Sequence, residues 1–187
     1  MKKKIGNQNV LYPMLVTIVG ALVNGKVNFL NVAHVGILNI SAPHLISLGM
    51  GKVHYTNAGI KATKTFSINI PSTKMIKETD HCGLVSGRTQ NKADLFKTFY
   101  GKLKTAPMIE QCSINMECEL VKTVDFPNHD VFIGKIINTF CDETVLTDGE
   151  VDIVKVQPIL FVMNNQSYYG IGEKLAKAWS IGKELNK

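Results

Sequence analysis

The sequence predicts a mainly β fold with a few inserted helices, wound as a Greek-key barrel, and three observations carry that expectation. Apolar, β-prone runs of strand length recur along the chain, most clearly through Phe29, Leu30, Val32, Val35, Ile37 and Leu38 and again through Leu45, Ile46 and Leu48. Asn24-Gly25 sits between two such runs and is a strong hairpin signal. Strands and helical stretches do not alternate regularly, and no G-x-G-x-x-G follows a strand: Gly49-Met50-Gly51 has His54 where a third glycine would stand. A doubly wound dinucleotide fold is therefore excluded.

Taken in order, Met14 to Val23 and the run from Lys26 onward form the first two strands. Gly20 to Val27 comes within one residue of a phosphate-binding P-loop, but Val27 replaces the hydroxyl that would hold magnesium, and no helix follows the lysine. Asn57 to Lys64 reads as a short helix, and Thr65 to Ile70 alternates like a strand that ends at Pro71. Helices are expected over Lys74 to Val85 and about Lys92 to Tyr100. Cys112 to Val124 and His129 to Asp142 read as two longer strands. Val151 to Val156 and Ile159 to Met163 are expected to close the barrel, with a terminal helix from Glu173 to Leu185.

The chain has 187 residues, 45% of them hydrophobic and 19% charged, which suits one compact domain over 1–187, with a barrel over about 12–169 and the terminal helix over about 173–185. Net charge is +6, contributed partly by lysines near both ends. Aromatic residues, only 7%, lie mostly in apolar runs rather than among basic ones, so a nucleic-acid surface is not favoured. The apolar run Val10 to Val23 contains Pro13, follows Asn7, Gln8 and Asn9, lacks an A-x-A cleavage pattern and falls short of the roughly 20 residues of a membrane span. A cytoplasmic protein outside the membrane is expected. Cys82, Cys112, Cys118 and Cys141 form no C-x-x-C pair and have no histidine at zinc spacing, so no metal site is expected.

Behind the strands of Asn28 to Leu48, Gly49 and Gly51 let backbone approach a ligand closely, and Lys52, His54, Tyr55 and Thr56 place donors within a few residues of it. Donors clustered beside bare backbone suit a phosphate. A surface turn with solvated side chains fits the same spacing, and the two readings stay open on the residues alone.

That segment, with YPMLVTIVGALVNGKV before it and TDHCGLVSGRTQNK from Thr79 to Lys92 after it, resembles the flavoredoxin branch of the flavin reductase-like, FMN-binding split-barrel family, over about Tyr12 to Tyr169. The resemblance implies a split barrel holding FMN. It places Asn31, Val32, Ala33 and His34 beside the flavin ring and ribityl chain, and Ser47, Leu48, Gly49 and Met50 along the opposing stretch. It puts Lys52, His54, Tyr55 and Thr56 at the phosphate, Asp80, Cys82 and Gly83 near the ring, and Ser86, Arg88 and Lys92 at the phosphate or ribityl chain. His34 fits equally a hydrogen-bonded core or interface residue, and Cys82 a buried thiol.

The activity implied is that of a flavin reductase or flavoredoxin-like electron carrier, with NAD(P)H as transient donor and a small molecule or protein as acceptor. A homodimer with FMN near the subunit interface is implied as well. No residue is expected to act as catalytic acid or base, because positioning supplies much of the rate in such chemistry. A flavin-storing protein without turnover is the alternative, and a basic nucleic-acid-binding barrel a weaker one.

Overall fold

The computed structural model describes residues 1–186. A short β1 (Met14–Leu15) leads into the hairpin of β2 (Thr17–Val23) and β3 (Lys26–Val32), then β4 (Val35–Asn39) and β5 (Leu45–Gly51). Helix α1 (Thr56–Thr63), strand β6 (Thr65–Ile70) and helix α2 (Ile76–Leu84) follow. After the short β7 (Thr98–Phe99) and β8 (Met108–Ile109) come two long strands, β9 (Ile114–Asp125) and β10 (His129–Cys141). The rest comprises β11 (Leu146–Thr147), β12 (Glu150–Val151), α3 (Ile153–Val156), β13 (Leu160–Val162) and β14 (Ser167–Tyr169).

Seven of these strands make one antiparallel sheet in the order β3-β2-β6-β9-β10-β5-β4. The order is non-sequential, as a Greek key requires, and the sheet curls without closing: β3 and β4 are its two edges although they are consecutive in the chain. The β4–β5 ladder runs on into the β3–β4 connection, where Gly49 N donates to His34 O at 2.8 Å. The architecture is the mainly β split barrel that the sequence predicts.

Period-two alternation decides which side chains enter the barrel. In β5, Ile46, Leu48 and Met50 point inward while Leu45, Ser47, Gly49 and Gly51 are only part-buried. They meet Val19, Ala21, Leu30, Val32, Ile60, Phe66, Ile68, Cys118 and Phe132 in one apolar core. Each large member contributes about 1.5–3 kcal/mol by leaving water. The β2–β3 hairpin turns at Asn24 and Gly25, with φ of 52° and 75°, the left-handed pair that a two-residue hairpin demands. A second cluster under α2 joins Ile18, Phe29, Met75, Cys82, Phe96, Ile109 and Cys112.

Four expectations need correction. The helix expected over Lys92 to Tyr100 is a single 3-10 turn, Ala93–Leu95, followed by β7. Lys92 is drawn back instead, its Nζ donating to the Cys82 and Val85 carbonyls at 3.0 and 3.1 Å and capping α2, and Phe96 packs edge-on against Phe29. Val151 to Val156 contains the end of β12 and the one-turn α3, started by the Asp152 carboxylate accepting from Val154 N. β13 lies outside the barrel sheet, pairing with β1 and β14 in a sheet of three. The stretch expected as a terminal helix has no helix before a 3-10 segment, Ile181–Asn186. Leu175, Trp179 and Leu185 there are 96%, 96% and 89% exposed, and a helix of this length without packing is marginal in water.

Candidate functional site

Two cavities meet where the barrel split faces α2. The first, about 230 Å³, is lined by Asn31, Val32, Ala33, His34, Gly49, Gly51, His54, Gly83, His129, Phe161, Met163 and Tyr168. The second, about 260 Å³, is lined by Asn28, Leu30, Val53, His54, Tyr55, Thr56, Gly83, Leu84, Val85, Ser86, Gly87, Arg88 and Lys92. His54 and Gly83 stand in both. The pair adjoins as one trough with a mainly apolar arm and a basic arm, and no carboxylate lines either arm.

The apolar arm is assembled from strand ends. Val32 turns into the barrel, which leaves Asn31 and Ala33 on the outer side, and Gly49 and Gly51 offer bare backbone from β5. The β13–β14 hairpin forms the facing wall, with the Phe161 and Tyr168 rings 5.5 Å apart. Tyr168 is tied down twice: its hydroxyl donates to Asp80 Oδ1 at 2.8 Å and accepts from Asn31 Nδ2 at 3.1 Å. Burial, and then the Asp80 carboxylate, push the Tyr168 phenol up to about 12, so it stays a proton donor at any physiological pH.

Three imidazoles gather at the arm's inner edge, with His34 and His129 ring centroids 6.2 Å apart. Burial, then His129, hold His34 below its ordinary value; burial, then His129 and Lys92, do the same for His54. The neutral forms of His34 and His54 are thereby favoured. His54 Nδ1 is buried and has no partner, a polar atom that a ligand in the trough would satisfy.

The basic arm comes from two segments that α1 and α2 bring together. Asn57 Nδ2 donates to Gly51 O at 3.1 Å and to Asp130 Oδ2 at 3.2 Å, while Lys61 Nζ lies 2.7 Å from the same carboxylate oxygen, so β5, α1 and β10 are locked behind the arm. Thr56 Oγ1 accepts from Asn28 Nδ2 at 2.7 Å, leaving its own proton free to donate. Arg88 Nη1 donates to Val53 O at 3.1 Å and its guanidinium lies over the Tyr55 ring at 5.3 Å. Lys92 is 2% exposed, and burial lowers its pKa.

Of the residues singled out from sequence, Asn31, Val32, Ala33, His34, Gly49, His54, Tyr55, Thr56, Gly83, Ser86, Arg88 and Lys92 line the trough. Asp80 stands one step behind, through Tyr168. The Leu48 and Met50 side chains lie in the barrel core, and the Ser47 hydroxyl donates to Gly36 O. Lys52 pairs with Asp125 at 2.6 Å on the outer surface. Cys82 is fully buried under α2, and burial pushes its thiol up to about 11, which leaves it an inert packing residue. Sequence reasoning missed His129, Phe161, Met163 and Tyr168, none of which lies in a motif.

The pattern described as the flavin reductase like domain matches residues 10–171. The chain belongs to this family. Among solved structures, a flavoredoxin from Methanosarcina acetivorans is 43% identical, with 99% of each chain covered and a TM-score of 0.95. The flavoredoxin of Desulfovibrio vulgaris is 33% identical over 97% of this chain and 100% of its own, with a TM-score of 0.90. An FMN-binding protein from Thermus thermophilus, 20% identical over 95% of this chain and 99% of its own, shares the fold with a TM-score of 0.80. Both trough arms fall inside the family match, and no helix among the described residues is long and apolar enough to cross a membrane.

Proposed function

We propose that the trough holds FMN and that the protein moves electrons from NAD(P)H through it to an acceptor, as a flavin reductase or flavoredoxin-like carrier. The observation that carries this is the two-arm trough itself: an apolar slot walled by aromatic residues, continuous with a basic end and free of carboxylates. A flavin mononucleotide needs that distribution, a wall for its ring and donors for its phosphate. Bound there, FMN would supply two-electron chemistry between a nicotinamide donor and an acceptor.

The residues divide the work of holding it. Thr56 and Arg88, with Ser86, are the phosphate donors. His54 stands where the two arms adjoin, and its unpartnered Nδ1 would hold the ribityl chain. Ala33 and Gly49 let the ring approach backbone, while Phe161 and Tyr168 exclude water from one side. A homodimer is part of the proposal: Ile37, Leu38 and Ile40, on and beside edge strand β4, are 73%, 53% and 82% exposed, an apolar rim that a second subunit would cover.

The deciding experiment uses Gly83, which stands in both arms. The nearest atoms to a Cβ there belong to Asn31, at 3.5 Å and beyond, which is ordinary van der Waals contact, so a longer side chain can extend into the trough, and leucine improves the helix by about 1 kcal/mol over glycine. The purified chain should be yellow or turn yellow with FMN, and should bleach anaerobically with NADH or NADPH; Gly83→Leu should fold as stably and stay colourless. A native chain that never retains FMN defeats the proposal, and one that binds it but never bleaches is a flavin-storing protein.

A further inference from the structure

Behind the trough wall the barrel has an apolar mouth. Leu15, Val35, Ile46, Ile68, Met116 and Ile136 line a cavity of about 670 Å³ at the edge of the barrel core, and no lysine, arginine or carboxylate stands in its wall. Ile37, also in the mouth, is 73% exposed. Trough and mouth share one segment: His34 lines the trough and Val35 the mouth, and the Thr17 hydroxyl in the mouth donates to Val32 O at 2.8 Å.

The end of the chain is a second uncovered apolar surface. Every residue from Gly172 to Leu185 is exposed, and no helix or strand forms between β14 and the 3-10 segment at Ile181. Trp179, 96% in water, holds a left-handed φ of 55°, a conformation that bulky residues rarely adopt. Fully extended, Gly172 to Ser180 reaches about 30 Å, roughly twice the ~16 Å radius of gyration expected of a domain this size. The tail is long enough to cross onto a neighbouring molecule.

We propose that the tail of a second copy fills this mouth, Trp179 foremost, and that the exchange is reciprocal. The inference rests on the homodimer of the proposed function and names the segment that makes it. An apolar mouth without charges accepts an indole and leaves no ionised group stranded, while Lys174 and Lys177 beside it stay in water. Trp179 buries up to about 250 Å². Matched by the wall it covers and doubled by two-fold symmetry, that approaches the roughly 1,000 Å² a specific interface must clear, before Leu175, Ile181 and the β4 rim add theirs. The partner's tail thereby backs the Val32 to Val35 segment on which the trough is built.

The test mixes two full-length variants in analytical ultracentrifugation. Leu175→Glu with Trp179→Glu spoils the tail and leaves the mouth, whereas Thr139→Arg, at an exposed position in the mouth, obstructs the mouth and leaves the tail. Each should raise the dimer Kd by tenfold or more. Mixed in equal amounts, where neither dimerises alone, the two should form a mixed dimer, because the sound tail of one meets the sound mouth of the other. Such recovery also shows that both variants are folded. A native dimer that the tail variant weakens by less than tenfold refutes the tail and leaves the homodimer standing. Two weakened variants that stay monomeric on mixing refute the pairing of tail with mouth. A native chain that never dimerises removes the homodimer and this inference together. Flavin retention by the native chain is read separately by its colour, and failure there removes the flavin reading alone.

Discussion

The two arms of the trough are built in opposite ways. The basic arm is local: Val53 to Thr56 and Gly83 to Lys92 supply most of its lining, and helices α1 and α2 set their positions. The apolar arm is assembled across the whole chain, with Asn31 bonded to a tyrosine 137 positions later and Asp80 to the same tyrosine 88 positions away. A local arm depends on its own side chains, whereas a long-range arm depends on a latch, here the hydroxyl of Tyr168.

Removing the donors of the local arm should therefore have the largest effect. Thr56→Val with Arg88→Ala takes away two phosphate partners, and FMN affinity should fall by about 100-fold or more, each charge-assisted bond being worth about 1.5–3 kcal/mol. Riboflavin, which lacks the phosphate, should bind both forms alike in a fluorescence titration; an equal loss would mean that the two arms are not chemically distinct. Tyr168→Phe comes next. It cuts the latch while keeping the ring, so FMN and riboflavin should weaken together, by about tenfold, with about 1 kcal/mol lost in thermal unfolding.

The Asp130 contacts that lock β5, α1 and β10 behind the basic arm and the Tyr168 latch of the apolar arm answer to opposite ends of the pH scale. Burial raises the Asp130 pKa, but the Lys61 and Asn57 bonds outweigh it and hold that carboxylate below its ordinary range. A carboxylate depressed in the fold contributes stability above its unfolded value, about 3.9, and loses it as pH falls through the lower folded value. Tyr168 is raised, so its contribution is complete below about 10 and is lost as pH climbs toward about 12. Asp130→Asn should flatten the acid limb of a stability profile and Tyr168→Phe the alkaline limb. A variant that flattened the other limb would break the pairing of each titrating group with its arm.

Two smaller effects sharpen the contrast. Cys82→Ser buries a hydroxyl among apolar side chains and should cost about 1–3 kcal/mol of stability, with electron-transfer rate and FMN affinity unchanged. Lys52→Ala should do least: its pair with Asp125 is surface-exposed and worth at most about 1 kcal/mol, and FMN affinity should move by less than twofold.

Legibility in the sequence followed the same division. The strand pattern, the Asn24-Gly25 turn and the donors from His54 to Thr56 and Ser86 to Lys92 are signals over a few residues, and the structure gathers those donors around one cavity. Tyr168, Phe161 and His129 carry no local signal, since their place depends on how β14, β13 and β10 are paired. Lys52 and Met50 sit in the same motif as His54, yet strand alternation sends Met50 into the core and the turn after Gly51 sends Lys52 outward to Asp125. Sequence proximity to a site does not fix direction. The expected terminal helix failed for a related reason, because nothing in the described structure covers the apolar side chains that its periodicity would have aligned.

That uncovered terminal stretch gives the molecule a built-in optical probe. Trp179 is the chain's single tryptophan and is almost wholly in water. Its emission is therefore an uncontaminated report on one position: a shift to the blue with rising protein concentration would mark the tail settling against another subunit. Quenching in step with added flavin would gauge how near the tail comes to the chromophore.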